Sequence, residues 1–185
     1  MLLITGSQLR GLPVVTVRGG EDVAEIRDII CHSEAGRVEG FTLNKRGVLA
    51  GRHGKVLPSE QVHAIGPDAV IVLDEGSLVN PDEASAPVGD PDGDRDVIGN
   101  DVLTEGGVSL GEIKDVVLLV GGSGEVVGYQ VTRPSGENAY IPLPAQLAVS
   151  GSALVVPDAT EEFARNDLVG LGAAVDEFRT RLGLQ

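Results

Sequence analysis

Residues 24–30 read AEIRDII, and residues 111–117 read GEIKDVV, so one seven-residue pattern occurs twice in the chain. A chance match in a sequence rich in valine and isoleucine would stop at its own borders, whereas a true repeat extends in both directions. This match does extend, because GRVEGFTL (36–43) resembles GEVVGYQV (124–131) at nearly the same spacing. The chain therefore contains two copies of one unit.

Further matches lie on both sides of this pattern. LPSEQVHAIGPDAVIV (57–72) aligns with IPLPAQLAVSGSALVV (141–156). Upstream, four residues of the first copy align with residues 87 positions later in the second: Val15, Gly19, Gly20 and Val23 with Val102, Gly106, Gly107 and Leu110. The spacing changes only between matched segments, where loops tolerate insertions and deletions. Each copy is about 65 residues long.

Each copy is predicted to consist of short strands. Apolar, β-branched segments alternate with turn residues, such as Gly19-Gly20 and Gly66-Pro67-Asp68. The predicted strands are residues 14–17, 23–30, 37–43, 56–58, 62–65 and 69–73, and then 101–104, 110–120, 125–132, 139–142, 147–149 and 153–156. So many short strands in so few residues favour a small curled sheet over a broad sandwich. The predicted fold is all-β, with two small antiparallel β-barrels in tandem and a C-terminal α-helix.

The ordered series of motifs resembles the PRC-barrel family. The series begins with V-x-T, followed by (A/G)-E-I-(R/K)-D-(I/V)-(I/V) and then by G-(R/E)-V-x-G-(F/Y). It ends with a strand closed by proline and the motif I-G-x-D-A-V-I-V. The resemblance covers residues 12–75 and 97–157. The resemblance implies a β-barrel used in protein interaction or assembly, with no shared catalytic residues. Two members of that family are the H subunit of the photosynthetic reaction centre and a ribosome-maturation factor. The sequence resembles neither the membrane helix of the first nor the separate N-terminal domain of the second. The resemblance therefore implies neither of these two roles.

The predicted domains are two barrels, residues 1–75 and 97–157, joined by a linker (76–96) and followed by a helical tail (158–185). Residues 74–96 contain eight acidic residues, one basic residue and three prolines. Such a composition is typical of a solvated connector, because it cannot bury enough apolar surface to fold. The same stretch also spaces its aspartates like an EF-hand calcium loop: Asp90, Asp92, Asp94, Asp96 and Asp101. Arg95 stands where such a loop needs glycine, so no metal site is predicted.

The tail is predicted to be an amphipathic helix, either continuous or broken into two pieces at Gly170 and Gly172, which weaken its middle. Thr160 is a suitable N-cap, followed by acidic residues in the first turn, with arginines near the far end. Apolar residues recur at helical spacing along one side: Phe163, Leu171, Ala174, Val175, Phe178 and Leu182. This stripe either packs on the neighbouring barrel, which we favour, or pairs with its twin in a homodimer, or meets a partner protein.

Composition favours a cytoplasmic protein without catalytic chemistry. No run of 18 or so apolar residues is present, and the single cysteine, Cys31, cannot form an internal disulfide. MLLITGSQLRG (1–11) lacks a charged leader and a long apolar stretch, so it is not expected to be a secretory signal. The three histidines, His32, His53 and His63, all lie in the first copy, so the repeats share no histidine-based site. No motif for a nucleophile, a metal or a cofactor is present. We therefore expect no enzyme activity and no cofactor.

One local feature remains in this acidic chain, whose formal net charge is −14. The segment NKRGVLAGRHGK (44–55) concentrates basic residues, whereas its counterpart RPSGENAY (133–140) has only Arg133. It is either an ordinary solvated loop or a surface for an acidic partner, and the candidate partner-binding residues are Lys45, Arg46, Arg52, His53 and Lys55. The sequence thus predicts a protein-interaction or scaffold module. The alternative is a ribosome- or RNA-associated assembly factor, although the overall charge disfavours nucleic acid.

Overall fold

The computed structural model describes residues 1–32, 37–47, 51–84, 97–144, 148–150 and 153–183. The first half contains β1 (Leu3–Thr5), α1 (Gly6–Leu9), β2 (Pro13–Thr16), β3 (Asp22–His32), β4 (Arg37–Asn44), β5 (Arg52–Pro58), β6 (Val62–Ile65) and β7 (Val70–Val72). The second half contains β8 (Asp101–Thr104), β9 (Ser109–Leu119), β10 (Val126–Thr132), β11 (Asn138–Pro142), β12 (Ala148–Ser150), β13 (Ala153–Val156) and α2 (Leu168–Arg181). Short 3-10 helices occupy Ser59–Gln61, Glu75–Ser77, Pro81–Glu83 and Asp158–Phe163.

The two halves form two sheets with the same strand order. The first sheet runs β5-β4-β3-β2-β7-β6, and the second runs β11-β10-β9-β8-β13-β12. The predicted mainly-β fold of two tandem units with a C-terminal helix is therefore confirmed. The sheets are not wholly antiparallel as expected, since β2 pairs with β7 and β8 pairs with β13 in parallel. Strands β2 to β5 alternate in direction, and β6 then runs in the same direction as β5. Because β7 is antiparallel to β6, it runs parallel to β2, beside which it lies.

The duplication extends to the turn that precedes each unit's first strand. The Gly11 N–H donates to Ile26 O at 2.8 Å, and the Gly99 N–H donates to Ile113 O at the same distance. Both glycines have a left-handed backbone, with φ of 87° and 89°, which residues with a side chain rarely adopt. The two units therefore enter their sheets through the same turn.

The sequence alignment of the first strand was displaced by one residue. The structure makes Val14, not Val15, the counterpart of Val102, since each is fully buried and pairs in parallel with the unit's last strand. The turn that follows explains the shift: Thr16 N–H donates to Glu21 O, but Thr104 N–H donates to Val108 O. The first copy's turn is one residue longer.

The N-terminal segment belongs to both units rather than to the first alone. Strand β1 pairs with β9 of the second sheet, in the register Leu3 to Leu119. The following helix, α1, lies against β3 and β9 and is held by the aspartate of each repeated motif. Asp115 accepts from the Ser7 N–H at 2.9 Å, and Asp28 accepts from the Arg10 guanidinium at 2.8 and 3.1 Å. The repeated AEIRDII-like pattern therefore builds the junction between the units.

The hairpin between β9 and β10 forms a second junction. The Gly121 N–H donates to Ile65 O at 2.8 Å, and the Ile65 N–H donates to Gly122 O at 3.1 Å. Buried side chains from both halves belong to one continuous hydrophobic cluster, including Phe41, Ile65 and Tyr129. The two units are thus joined by backbone hydrogen bonds and by a shared hydrophobic cluster.

Part of the segment expected to be a solvated linker is packed on the first unit. Leu78 is buried, and Val79 exchanges two backbone hydrogen bonds with Val56 at 2.9 and 3.0 Å. Apolar residues in this part of the acidic stretch supply the burial that composition alone did not reveal. Residues 85–96, with Asp90, Asp92, Asp94 and Asp96 of the calcium-like spacing, lie outside the described residues.

The tail contains two helical pieces, but the break lies before Gly170 and Gly172, and the prediction of Thr160 as the N-cap of the α-helix is wrong. Thr160 is fully buried within the 3-10 helix Asp158–Phe163, and α2 begins later, where Asp167 accepts from the Gly170 N–H at 2.7 Å. Between them, Arg165 and Tyr140 exchange two backbone hydrogen bonds at 2.7 and 2.8 Å. This bridge holds the chain extended, which interrupts the helix.

The apolar stripe of α2 is buried within its own chain. Leu171 and Val175 pack with Val117 and Val127 of the second sheet, and Phe178 packs with Phe163. Gly128 permits this approach, because a Cβ there would lie 3.1 Å from Leu171 Cδ2 and 2.5 Å from Ile141 O. A homodimer through the helix remains a prediction, and it would have to use the outer face, where Val169 is 85% exposed.

Candidate functional site

The five basic candidate residues lie at one end of the first sheet. Lys45 follows β4, and its N–H donates to Gly51 O at 3.0 Å, which brings the start of β5 beside it. Arg52 pairs in register with Asn44, and the register then shifts, so that His53–Lys55 bulge away from β4. The loop residues 48–50 between them lie outside the described residues. Bulges of this kind change the direction in which side chains point.

Arg46 differs from the other cations because its charge is balanced within the unit. Its guanidinium forms ion pairs with Asp22 and with Glu25, the latter at 2.9 Å. Both carboxylates lie on β3, more than twenty positions earlier in the sequence. Arg46 therefore ties the residues that directly follow β4 to β3 and adds little free positive charge.

His53 is the titratable group of this surface. Its Nδ1 accepts a hydrogen bond from the Lys55 N–H at 3.1 Å, so the lone pair on that nitrogen is used inside the bulge. Partial burial, and then the positive charges of Lys55 and Lys45, lower the pKa of His53 below 6.5, while Glu75 opposes the shift. His53 is therefore neutral at pH 7. Glu75 was missed by sequence reasoning because it reaches this loop only through the packing of residues 76–84.

Three cations remain available to a partner. Lys45 and Arg52 are exposed and Lys55 is half-buried, and none forms an ion pair within the described part of the chain. We call Lys45, Arg52, His53 and Lys55 the basic patch. Residues 1–75 contain 8 Lys/Arg and 10 Asp/Glu, whereas residues 76–185 contain 6 and 18. The patch is thus a local positive surface on an acidic molecule.

The backbone beside the patch offers little for strand addition. Strand β5 ends the first sheet's strand order, but Val79 already occupies its outer edge at Val56. The bulge takes the Lys55 N–H out of the ladder. A partner of this surface would therefore be bound through side-chain charge and not by extension of the sheet.

A comparison with protein families agrees with this architecture. The PRC-barrel domain model matches residues 1–78 and again residues 92–163, which together are most of the chain. The chain belongs to the PRC-barrel domain family. A search of curated proteins finds no match to the sequence. The two matched segments correspond to the two sheets, so each sheet is one PRC-barrel unit.

The PRC-barrel units show no metal cluster in their described parts. No group of three or more histidine, cysteine, aspartate or glutamate side chains that could hold an ion occurs among the described residues. Asp101, the one described member of the calcium-like series, is exposed on β8. As for membranes, the helices in the described ranges are too short and too polar to cross a bilayer.

Proposed function

We propose that this tandem PRC-barrel protein is a non-enzymatic interaction or scaffold module that binds an acidic protein partner through the basic patch. The observation that carries the proposal is the contrast between Arg46, which is neutralised by two carboxylates, and Lys45, Arg52 and Lys55, which are not. Unpaired surface cations on an otherwise acidic molecule attract negative ligands selectively. The equivalent loop of the second unit, RPSGENAY, has a single cation, Arg133, so the two units present different charge at this place.

The test compares two variants with the same change in net charge. Lys45→Glu/Arg52→Glu reverses the patch, and Arg18→Glu/Lys114→Glu reverses two cations elsewhere on the surface. Arg18 and Lys114 form only exposed ion pairs, which contribute little to stability. Affinity purification from the protein's own cells should recover a specific protein with the native chain and the control variant but not with the patch variant. Its binding should weaken as salt is raised.

Two other outcomes have defined meanings. Recovery of the same protein by all three forms would contradict the patch as the docking surface. Recovery of ribosomal components or RNA, lost with the patch variant and steeply salt-dependent, would instead favour the assembly-factor function. The cytoplasmic location expected from the sequence can be checked on the same tagged protein by fractionation.

A further inference from the structure

A cavity of about 210 Å³ opens on the second unit, at the place equivalent to the basic patch. It lies between the turn after β10 and the 3-10 helix Asp158–Phe163. Its apolar lining comes from Leu110, Ile141 and Ala164, and its polar lining includes Ser109, Arg133 and Glu161. Nothing in the proposed docking function uses these residues.

The repeat identifies the counterpart of each lining residue. Tyr129 pairs with Ile141 as Phe41 pairs with Leu57, which equates the cavity's Ile141 with Leu57. The Tyr140–Arg165 bridge corresponds to the Val56–Val79 bridge. The residue before each bridge is then Ala164 in the second unit and Leu78 in the first.

The first unit carries larger side chains at three of the equivalent positions. Leu78, buried to 3% exposure, is larger than Ala164. Arg46 stands where the second unit has Pro134, and it reaches across to Asp22, which stands where the second unit has Ser109. Smaller residues at these three positions leave room for the cavity in the second unit.

Opposite charges lie on this cavity without neutralising each other. Arg133 is half-buried and Glu161 is exposed, and both line it. Within the described ranges neither side chain takes part in an ion pair, although other arginines of the unit do so with nearby carboxylates. A guanidinium recognises a carboxylate, and a carboxylate recognises an ammonium group.

We propose that the cavity binds a small amphoteric molecule of amino-acid size, with its carboxylate on Arg133, its ammonium on Glu161 and a short aliphatic group on Leu110, Ile141 and Ala164. The volume is below that of sites for drug-sized ligands, which favours a compact ligand. The Ser109 hydroxyl adds a hydrogen-bonding group at the rim. This site is separate from the basic patch, so a result that contradicts one proposal leaves the other unaffected.

The first experiment titrates the full chain with L-leucine and follows backbone amide signals by NMR. We expect saturable shifts at Ser109, Arg133 and Ala164. Isocaproate, which lacks the ammonium group, and isoamylamine, which lacks the carboxylate, should each bind about tenfold more weakly, the loss expected for one charged hydrogen-bonded contact. Absence of saturable shifts with L-leucine, or equal binding of either analogue, would overturn the proposal.

Two variants and a control complete the test. Ala164→Leu introduces the residue that the first unit carries at this position, so it should fold, fill the cavity and abolish binding. Arg133→Ala leaves the cavity open and should weaken binding about tenfold. Arg18→Ala, on the first unit, should bind as the native chain does. Unchanged binding in both Ala164→Leu and Arg133→Ala would place the ligand elsewhere and refute the site.

Discussion

Gly6, at the start of α1, lies between the two units with no room for a side chain. A Cβ there would lie 2.6 Å from Asp115 Oδ1 and 3.0 Å from atoms of Ile29 and Val116. Asp115 cannot easily move away, because its carboxylate accepts hydrogen bonds from the N–H groups of Ser7 and Val116. We expect Gly6→Ala to lower the free energy of unfolding by about 1–3 kcal/mol through overpacking. Urea denaturation measures this loss.

Gly51 provides the control for this prediction. No atom would lie within 4 Å of a Cβ at that position, and its backbone is not left-handed. Gly51→Ala should therefore leave the free energy of unfolding within about 0.5 kcal/mol of the native value. Equal stability of the two variants would show that α1 is not clamped between the units.

His53 makes the free energy of unfolding depend on pH, and the direction of its pKa shift determines the direction of this dependence. Its pKa is lowered in the folded chain by burial, Lys55 and Lys45, so the unfolded chain, with a pKa near 6.5, binds the proton first. The free energy of unfolding should therefore fall as the pH drops below 6.5 and level off below the folded pKa. His53→Gln should remove this part of the pH dependence, as measured by urea denaturation at a series of pH values.

Single substitutions around His53 test the causes of its shift. Lys55→Gln should raise the pKa of His53, and Glu75→Gln should lower it further, because each removes one of the charges that act on the ring. NMR titration of the His53 ring signals gives both values. Shifts of the same direction in the two variants would contradict the proposed arrangement of charges.

At the scale of elements, α2 stabilises the second unit by covering its sheet. Phe178 is fully buried, and its ring lies 5.4 Å from that of Phe163 between ring centres. Phe178→Ala should lower the free energy of unfolding by about 3–5 kcal/mol. Val169→Ala, on the exposed face of the same helix, should change it by less than about 0.5 kcal/mol. Similar small losses in both would mean that the helix is not docked on the sheet.

The start of this helix shows what local sequence could not decide. Thr160 and Asp167 are both good N-caps, and both precede apolar residues at helical spacing. The choice depends on the Tyr140–Arg165 bridge, which joins residues 25 positions apart and keeps the chain extended between the two caps. Strand segments were predicted well because their β-branched composition is local and was seen twice.

The sequence predicted which basic residues belong to the candidate site, but it did not predict which of them form ion pairs. The sequence brought together the basic residues of one loop, yet Arg46 is neutralised by Asp22 and Glu25, which join it only when β3 and β4 pair. The cavity of the second unit could have been suspected from the repeat, since Ala164 replaces Leu78 once the spacing is known. That spacing follows from the bridge geometry, and sequence matching alone did not reach it.

At the scale of the molecule, β1 and the β9–β10 hairpin join the units so closely that neither should unfold alone. The only two tyrosines, Tyr129 and Tyr140, are in the second unit, and the chain has no tryptophan, so tyrosine fluorescence reports on the second unit. Leu57→Ala removes a fully buried side chain from the first unit and should cost about 2–5 kcal/mol. If unfolding is cooperative, the urea midpoint seen by tyrosine fluorescence should fall together with the midpoint seen by circular dichroism.

The matched variant for this measurement is Ile141→Ala, since Ile141 is the counterpart of Leu57 in the second unit and is equally buried. Both variants should shift both signals by similar amounts, because β1 and the Ile65–Gly121 hydrogen bonds transmit the loss from either unit to the other. A tyrosine midpoint that stays at the native value in Leu57→Ala, while circular dichroism reports an early transition, would mean that the units unfold separately. In that case the junctions would position the two PRC-barrel units without stabilising them, and each surface could open independently of the other.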